Sequence, residues 1–179
     1  MRAVFRCSNA FLESVEQDLS RPHAHAAERI GFIAVRAAAL SNGLLLLAQD
    51  YYPVEDSDYV RDESVGALIG HEGLRKALEI ALLNPVGIFH VHAHEYAFGG
   101  RHWFSPTDLD EQDNFVPDFF KVNRKMPHGA IALGPRRSAV GRVWLAPNTV
   151  LPIAEFGCAG RHLMTRFADR DGTAVVLDE

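Results

Sequence analysis

Cysteine is nearly missing from this chain: only Cys7 and Cys158 occur in 179 residues. That excludes a disulfide scaffold and any thiolate-rich zinc site of the finger or deaminase kind, so both are expected to be reduced, buried thiols. Long hydrophobic runs are missing too. No apolar stretch approaches the ~20 residues of a membrane span, and Met1 to Cys7 lacks a basic segment followed by an apolar one. The chain therefore reads as soluble and cytoplasmic, with no membrane partner. There is no basic excess either: a net charge of -5 supplies no positive field for a polyanion, and no nucleic-acid partner is expected. Repeats, low-complexity tracts and Pro/Gly/Ser-rich linkers are also lacking. Residues 1–179 are read as a single domain, long enough to bury a core, in which motifs distant in sequence can meet.

What is present alternates between helical and extended patterns. Phe11, Leu12, Val15 and Leu19 recur at helical spacing over Asn9 to Leu19, with Ser8 as N-cap. Ile30, Phe32, Ile33 and Val35 read as a strand, joined through the turn Ser41-Asn42-Gly43 to a second strand from Gly43 to Tyr52. Glu72 to Leu83 reads as a helix with Leu74, Leu78 and Leu82 on one stripe, stopped by Asn84-Pro85. Val86 to His92 begins as an apolar run and ends in histidines, as a central strand does when its tip opens into a site. After a loop from Ala93 to Phe104, Ser105-Pro106-Thr107-Asp108 opens a helix with Pro117 as a kink or stop. Further strands are expected at Gly129 to Leu133 and Ala139 to Leu145, with shorter extended pieces near Leu151 to Glu155 and Thr173 to Leu177. Strands interleaved with helices predict an α/β sandwich.

The chemistry concentrates at the tip of the histidine strand. Alternate side chains of a strand share a face, so His90 and His92 can converge on one ion, and His94 continues that face if the strand persists. Two neutral imidazoles, one carboxylate and a position left to water make up a catalytic zinc site. Asp108, on the first turn of its helix, can supply the carboxylate, and Glu28, at the entry to the first hairpin strand, is the candidate base.

These residues resemble the JAMM/MPN-plus metallopeptidases, whose pattern is a distant Glu, then His-x-His, then Ser-x-x-Asp. Ala27-Glu28-Arg29-Ile30-Gly31-Phe32-Ile33 looks like the family's glutamate followed by Gly and an apolar strand. Val86-Gly87-Ile88-Phe89-His90-Val91-His92 resembles its Gly-x-aromatic-His-x-His strand, which selects His90 and His92 over His92 and His94. Ser105-x-x-Asp108 completes the pattern. Val91 and Ala93 stand where the family usually has Ser or Thr and then Pro, and the gap from His92 to Ser105 holds twelve residues, longer than the common form.

The resemblance implies a JAMM/MPN domain of the cytidine-deaminase-like α/β sandwich kind, a mixed sheet flanked by helices. It implies one Zn2+ on His90, His92 and Asp108, with Glu28 as base and Ser105 as oxyanion stabiliser. The substrate implied is a peptide or isopeptide bond after the C-terminal Gly of a ubiquitin-like protein. Ubiquitin-activating and ubiquitin-conjugating-like enzymes would be neighbouring partners, including in bacterial antiviral defence. Phe98, Trp103 and Phe104, in the long loop, are expected to flank the modifier's extended tail.

Taken singly, each motif has a plainer reading. Histidines at a strand end are common on surfaces, Ser-Pro-Thr-Asp is ordinary helix-start chemistry, and Glu28 can be a solvated charge. The joint pattern raises the metal reading above these. His23 and His25 are read as solvated, although one could line the site. His71, His128 and His162 have no partner at ligand spacing, and His102 reads as a surface or substrate-facing residue. No His-Glu-x-x-His helix and no deaminase Cys-x-x-Cys occurs. A cupin also offers His-x-His on a strand, but the helices on both sides of it argue against an all-β barrel. Two alternatives remain beside the peptidase: a non-catalytic MPN-type interaction scaffold, and a metallohydrolase acting on a small-molecule amide.

Overall fold

The computed structural model describes residues 1–62, 66–94, 103–135 and 138–160, and the strand backbones 164–168 and 174–175. In chain order the elements are β1 (Arg2–Ser8), α1 (Asn9–Leu19), β2 (Ile30–Leu40), β3 (Gly43–Pro53), a 3-10 turn (Asp56–Asp58), α2 (His71–Leu83), β4 (Gly87–Ala93), α3 (Pro106–Val122), β5 (His128–Gly134), β6 (Ser138–Ala146), β7 (Thr149–Ala159), β8 (Met164–Ala168) and β9 (Ala174–Val175).

All nine strands form one mixed sheet in the order β1-β3-β2-β4-β5-β6-β7-β8-β9, and β1 pairs in parallel with β7 as well as with β3. That second pairing closes seven strands into a barrel, with β8 and β9 continuing from β7. The helix-flanked α/β sandwich expected above, in its cytidine-deaminase-like form, is overturned: the chain is mostly sheet, with three α-helices among the described residues. The physical reason is β1, which sequence reading did not anticipate as a strand. It buries Ala3, Val4, Phe5 and Cys7, and its two edges pair with β3 and β7, which leaves no open edge on the seven-strand circuit. The helices that argued against a barrel pack onto it instead of forming the layers of a sandwich.

Two faces of the sheet are filled differently. Inward residues from all seven barrel strands, among them Phe5, Ile33, Leu46, Phe89, Ile131, Val143 and Ile153, share one cluster, into which α1 lays Val15 and Leu19. On the outer face, Ile30, Phe32, Ala34 and Ile88 pack under α2 and Phe119 of α3, while Ala130, Ala132, Val140 and Trp144 pack under Val116 and Phe120. Every residue from Gly87 to His92 is consequently buried, which is why β4 reads as an unbroken apolar run. Gly31 answers to a close approach: a Cβ there would stand 2.3 Å from the Tyr51 ring.

The helices differ from expectation in two details. In α2 the buried seam is Gly73, Ala77 and Ala81, small residues that let the helix lie close to the sheet, while Leu82 is 62% exposed and not part of a core stripe. The α3 helix neither stops nor ends at Pro117 but runs on to Val122. The extended piece near Leu151 is the full-length β7. No helix among the described residues is long and apolar enough to cross a membrane.

Candidate metal centre

Strand register brings the acidic and imidazole groups together. Alternation along β4 sends Phe89 and Val91 into the barrel and puts His90 and His92 on the outer face with Ile88. The His94 N–H donates to the Leu133 carbonyl at 2.8 Å, so the pairing with β5 persists one step past Ala93 and keeps His94 in the outer row. On the other side β2 runs antiparallel with Ile30 opposite His92, and continuing that register by two residues sets Glu28 opposite His94. The backbone at Glu28 is anchored: the Ala27 and Glu28 N–H groups donate to the Gly66 carbonyl at 2.7 and 3.2 Å. Next to it Arg29 is buried, donating to the carbonyls of Arg21 and Pro22 at 2.8 and 3.1 Å and pairing with Asp56 at 2.8 Å. This guanidinium fastens the connector that carries Glu28.

Asp108 arrives from above on α3. Ser105 is the N-cap: its Oγ accepts from the Asp108 N–H at 3.1 Å, and Asp108 Oδ2 accepts from the Ser105 N–H at 2.7 Å, a reciprocal capping box that fixes the carboxylate.

The resulting geometry is a small polar cage. His92 Nε2 and His94 Nε2 are 2.9 Å apart, Asp108 Oδ1 lies 3.3 Å from His92 Nε2, and Asp108 Oδ2 lies 3.3 Å from His94 Nε2. Donor atoms of Glu28, His92 and His94 all fall within 4.8 Å of one another. Zn–N and Zn–O bonds of about 2.0–2.2 Å in a tetrahedron place ligand atoms about 3.3–3.5 Å apart. The donor set and the two imidazole–carboxylate spacings suit a zinc ion held by His92, His94 and Asp108, with Glu28 beside it, while the two imidazoles, at hydrogen-bond distance, would open by a few tenths of an ångström to take it. The Nδ1 atoms of His90 and His92 are both buried without a hydrogen-bond partner, so what singles out His92 is the placement of its Nε2 against His94 and Asp108.

Electrostatics follow from the same contacts. Burial tends to raise the Asp108 pKa, but hydrogen bonds from His92 and His94, the charge of His92 and the Ser105 cap together hold it well below the usual carboxylate range. For His94, burial acts to lower the pKa but is outweighed by the hydrogen bond and charge of Asp108, the charge of Glu28 and the Trp103 backbone, so the net shift is upward. His90 differs in kind. Burial first, then the neighbouring His92, push it down to about 3 against the pull of Asp108.

The expected ligand set thus differs from the observed cluster by one step of alternation. Glu28 and Asp108 each lie beside His92, and the second imidazole there is His94, not His90. His90 is 7% exposed, opposite Phe32 in the register and 5.0 Å from the Phe115 ring, and it faces a separate groove beside Glu111 and Asn114. Among the expected substrate contacts, Phe104 is corrected: it is buried in the cluster with Val116, Phe120 and Trp144, because α3 draws its own N-terminal flank onto the sheet. Trp103 is 43% exposed at the rim, and Phe98 lies outside the described residues, as do His102 and His162. His23 packs on Tyr59 at 4.4 Å and, with Glu28 and His94, lines a groove of ≈ 630 Å³ that opens onto the cage.

No protein-family model matches the chain, and no curated protein matches it.

Proposed function

We propose that this chain is a zinc-dependent hydrolase of peptide or isopeptide bonds, with the ion held by His92, His94 and Asp108 and Glu28 acting as general base. One observation carries the reading: three segments, the connector before β2, the β4 tip and the first turn of α3, bring Glu28 and Asp108 each beside the His92–His94 pair. When bound there, zinc supplies Lewis-acid polarisation of a carbonyl and lowers the pKa of water toward neutrality. Glu28 takes the proton of the attacking water and returns it to the leaving amine. Ser105, whose oxygen already accepts from the Asp108 N–H, has its hydroxyl hydrogen to offer a developing oxyanion. The groove beside Glu28 and His94 has room for an extended segment of chain.

The motif resemblance supports the substrate class: a bond following the C-terminal Gly of a ubiquitin-like protein, in deconjugation or tail processing. This likeness lies in the residues of the site and not in a sandwich architecture. The test combines elemental analysis of the purified chain with cleavage of a ubiquitin-like protein carrying a reporter amide on its C-terminal Gly. One zinc per chain is expected, with cleavage abolished by a chelator and restored by added zinc. Turnover that survives complete metal removal would refute the proposal. Metal-dependent hydrolysis of simple amides, without cleavage of the fusion, would keep the chemistry and remove the substrate.

A further inference from the structure

The two cysteines, 151 positions apart, are register partners on the parallel strands β1 and β7, where the barrel closes. Their sulfurs are 3.3 Å apart and neither is in a disulfide. Neighbouring strands lie about 4.8 Å apart, inside the roughly 4.4–6.8 Å separation of Cα atoms that a disulfide spans. Both side chains border a small apolar cavity of ≈ 40 Å³ between α1 and the barrel interior, lined also by Phe11, Val15 and Phe156. That space lets the sulfurs rotate into bonding distance without overpacking the core. Access is one-sided: Cys7 is buried, while Cys158 is partly exposed.

We propose that Cys7 and Cys158 form a site of reversible covalent modification, a disulfide that locks the β1–β7 seam. The oxidant is a low-molecular-weight disulfide. The Cys158 thiolate, on the accessible side, attacks one of its sulfurs, forming a mixed disulfide and releasing one thiolate, which takes up the proton Cys158 gave up. Cys7 then loses its proton and attacks the Cys158 sulfur of the mixed disulfide. The second small thiol leaves with that proton, so two protein thiols are oxidised and one small disulfide is reduced to two thiols. The hydrogen bond with Cys158 and then burial hold Cys7 in its thiol form, which, with its buried position, makes it the second thiol to react. The proposal is independent of the metal centre.

The experiment equilibrates the full chain in glutathione buffers spanning reducing to oxidising ratios, quenches with acid, alkylates and maps peptides by mass spectrometry, with thermal unfolding of each end state. A Cys7–Cys158 linked peptide is expected in monomeric protein, forming in step with the buffer ratio and reversed by dithiothreitol. The bridge closes a very long loop, so Tm should rise by roughly 5–10 °C on oxidation. Cys7→Ser and Cys158→Ser proteins should show neither the link nor the Tm response. Two thiols that remain alkylatable throughout, a stable glutathione adduct on Cys158, a link between chains only, or an equal Tm rise in the serine variants would each overturn it.

Discussion

His92 and His128 sit at neighbouring strands under the same helix and are buried alike, 2% and 0% exposed, yet their bonding is opposite. His128 is complete. Its Nδ1 accepts from the Ile88 N–H at 3.1 Å, its Nε2–H donates to the Asn123 carbonyl at 2.9 Å, and its ring stacks on Phe119. His92 leaves Nδ1 without a partner and turns Nε2 toward another imidazole and a carboxylate. Burial therefore does not separate the fully bonded histidine from the one at the proposed metal centre. What separates them is what Nε2 faces, a backbone carbonyl for His128 and an imidazole and a carboxylate for His92, because an orphaned Nδ1 is shared by His92 and His90.

The sharpest way to break this contrast is to delete each ring. His92→Ala should empty the metal site and abolish hydrolysis while the chain stays folded, read by zinc content and circular dichroism; His128→Ala should do the reverse. The same assay decides between the neighbours of His92: His94→Ala should lose zinc, and His90→Ala should retain most of it. An emptied site in His90→Ala with a filled one in His94→Ala would restore the register expected from sequence. Glu28→Gln comes next, keeping full zinc while losing on the order of 10²-fold or more in rate. Undiminished turnover in that protein would remove Glu28 as base.

For His128→Ala the expected loss is about 2–4 kcal/mol of folding stability, from the cavity and from leaving the Ile88 N–H and Asn123 carbonyl buried without their partner. Zinc per folded chain should stay unchanged. A variant as stable as the parent would mean that water replaces both bonds, and the contrast with His92 would weaken.

Much of this was legible in sequence because local chemistry is strong where it matters. The Ser105 cap, the Pro106 start, the hairpin at Ser41-Asn42 and the alternation of β4 all follow from short-range rules, and they carry Glu28 and Asp108 each beside His92. Two things were not legible. Barrel closure depends on β1 pairing with β7, a contact between chain ends for which no local pattern speaks. The choice of His94 over His90 depends on the ladder with β5 extending past Ala93 through Leu133, and on Phe32 and Phe115 closing over His90. In an alternating row of three histidines, periodicity puts all three on one face and cannot say which pair lies at the open end.

The finest probe of the contrast is acid. Burial lowers the pKa of His128 to about 4 despite the opposing Asn123 carbonyl, and its Nδ1, accepting from the Ile88 N–H, is bonded as in a neutral ring. In the unfolded chain the value is about 6.5. The folded pKa is the lower one, so the unfolded state takes the proton first as pH falls. The contribution is negligible well above about pH 6.5, and stability is lost from there down to about pH 4, saturating on the order of 3 kcal/mol. Between about pH 7 and about pH 5.5 the loss should be about 1 kcal/mol. His128→Phe keeps a ring against Phe119 but removes the titration. Urea unfolding of both metal-free proteins at the two pH values cancels the groups they share, and the stability gap between them should narrow by that amount on acidification. A gap that stays constant or widens would mean the folded ring accepts its proton as readily as the unfolded one, and the neutral pairing with Ile88 would have to be withdrawn.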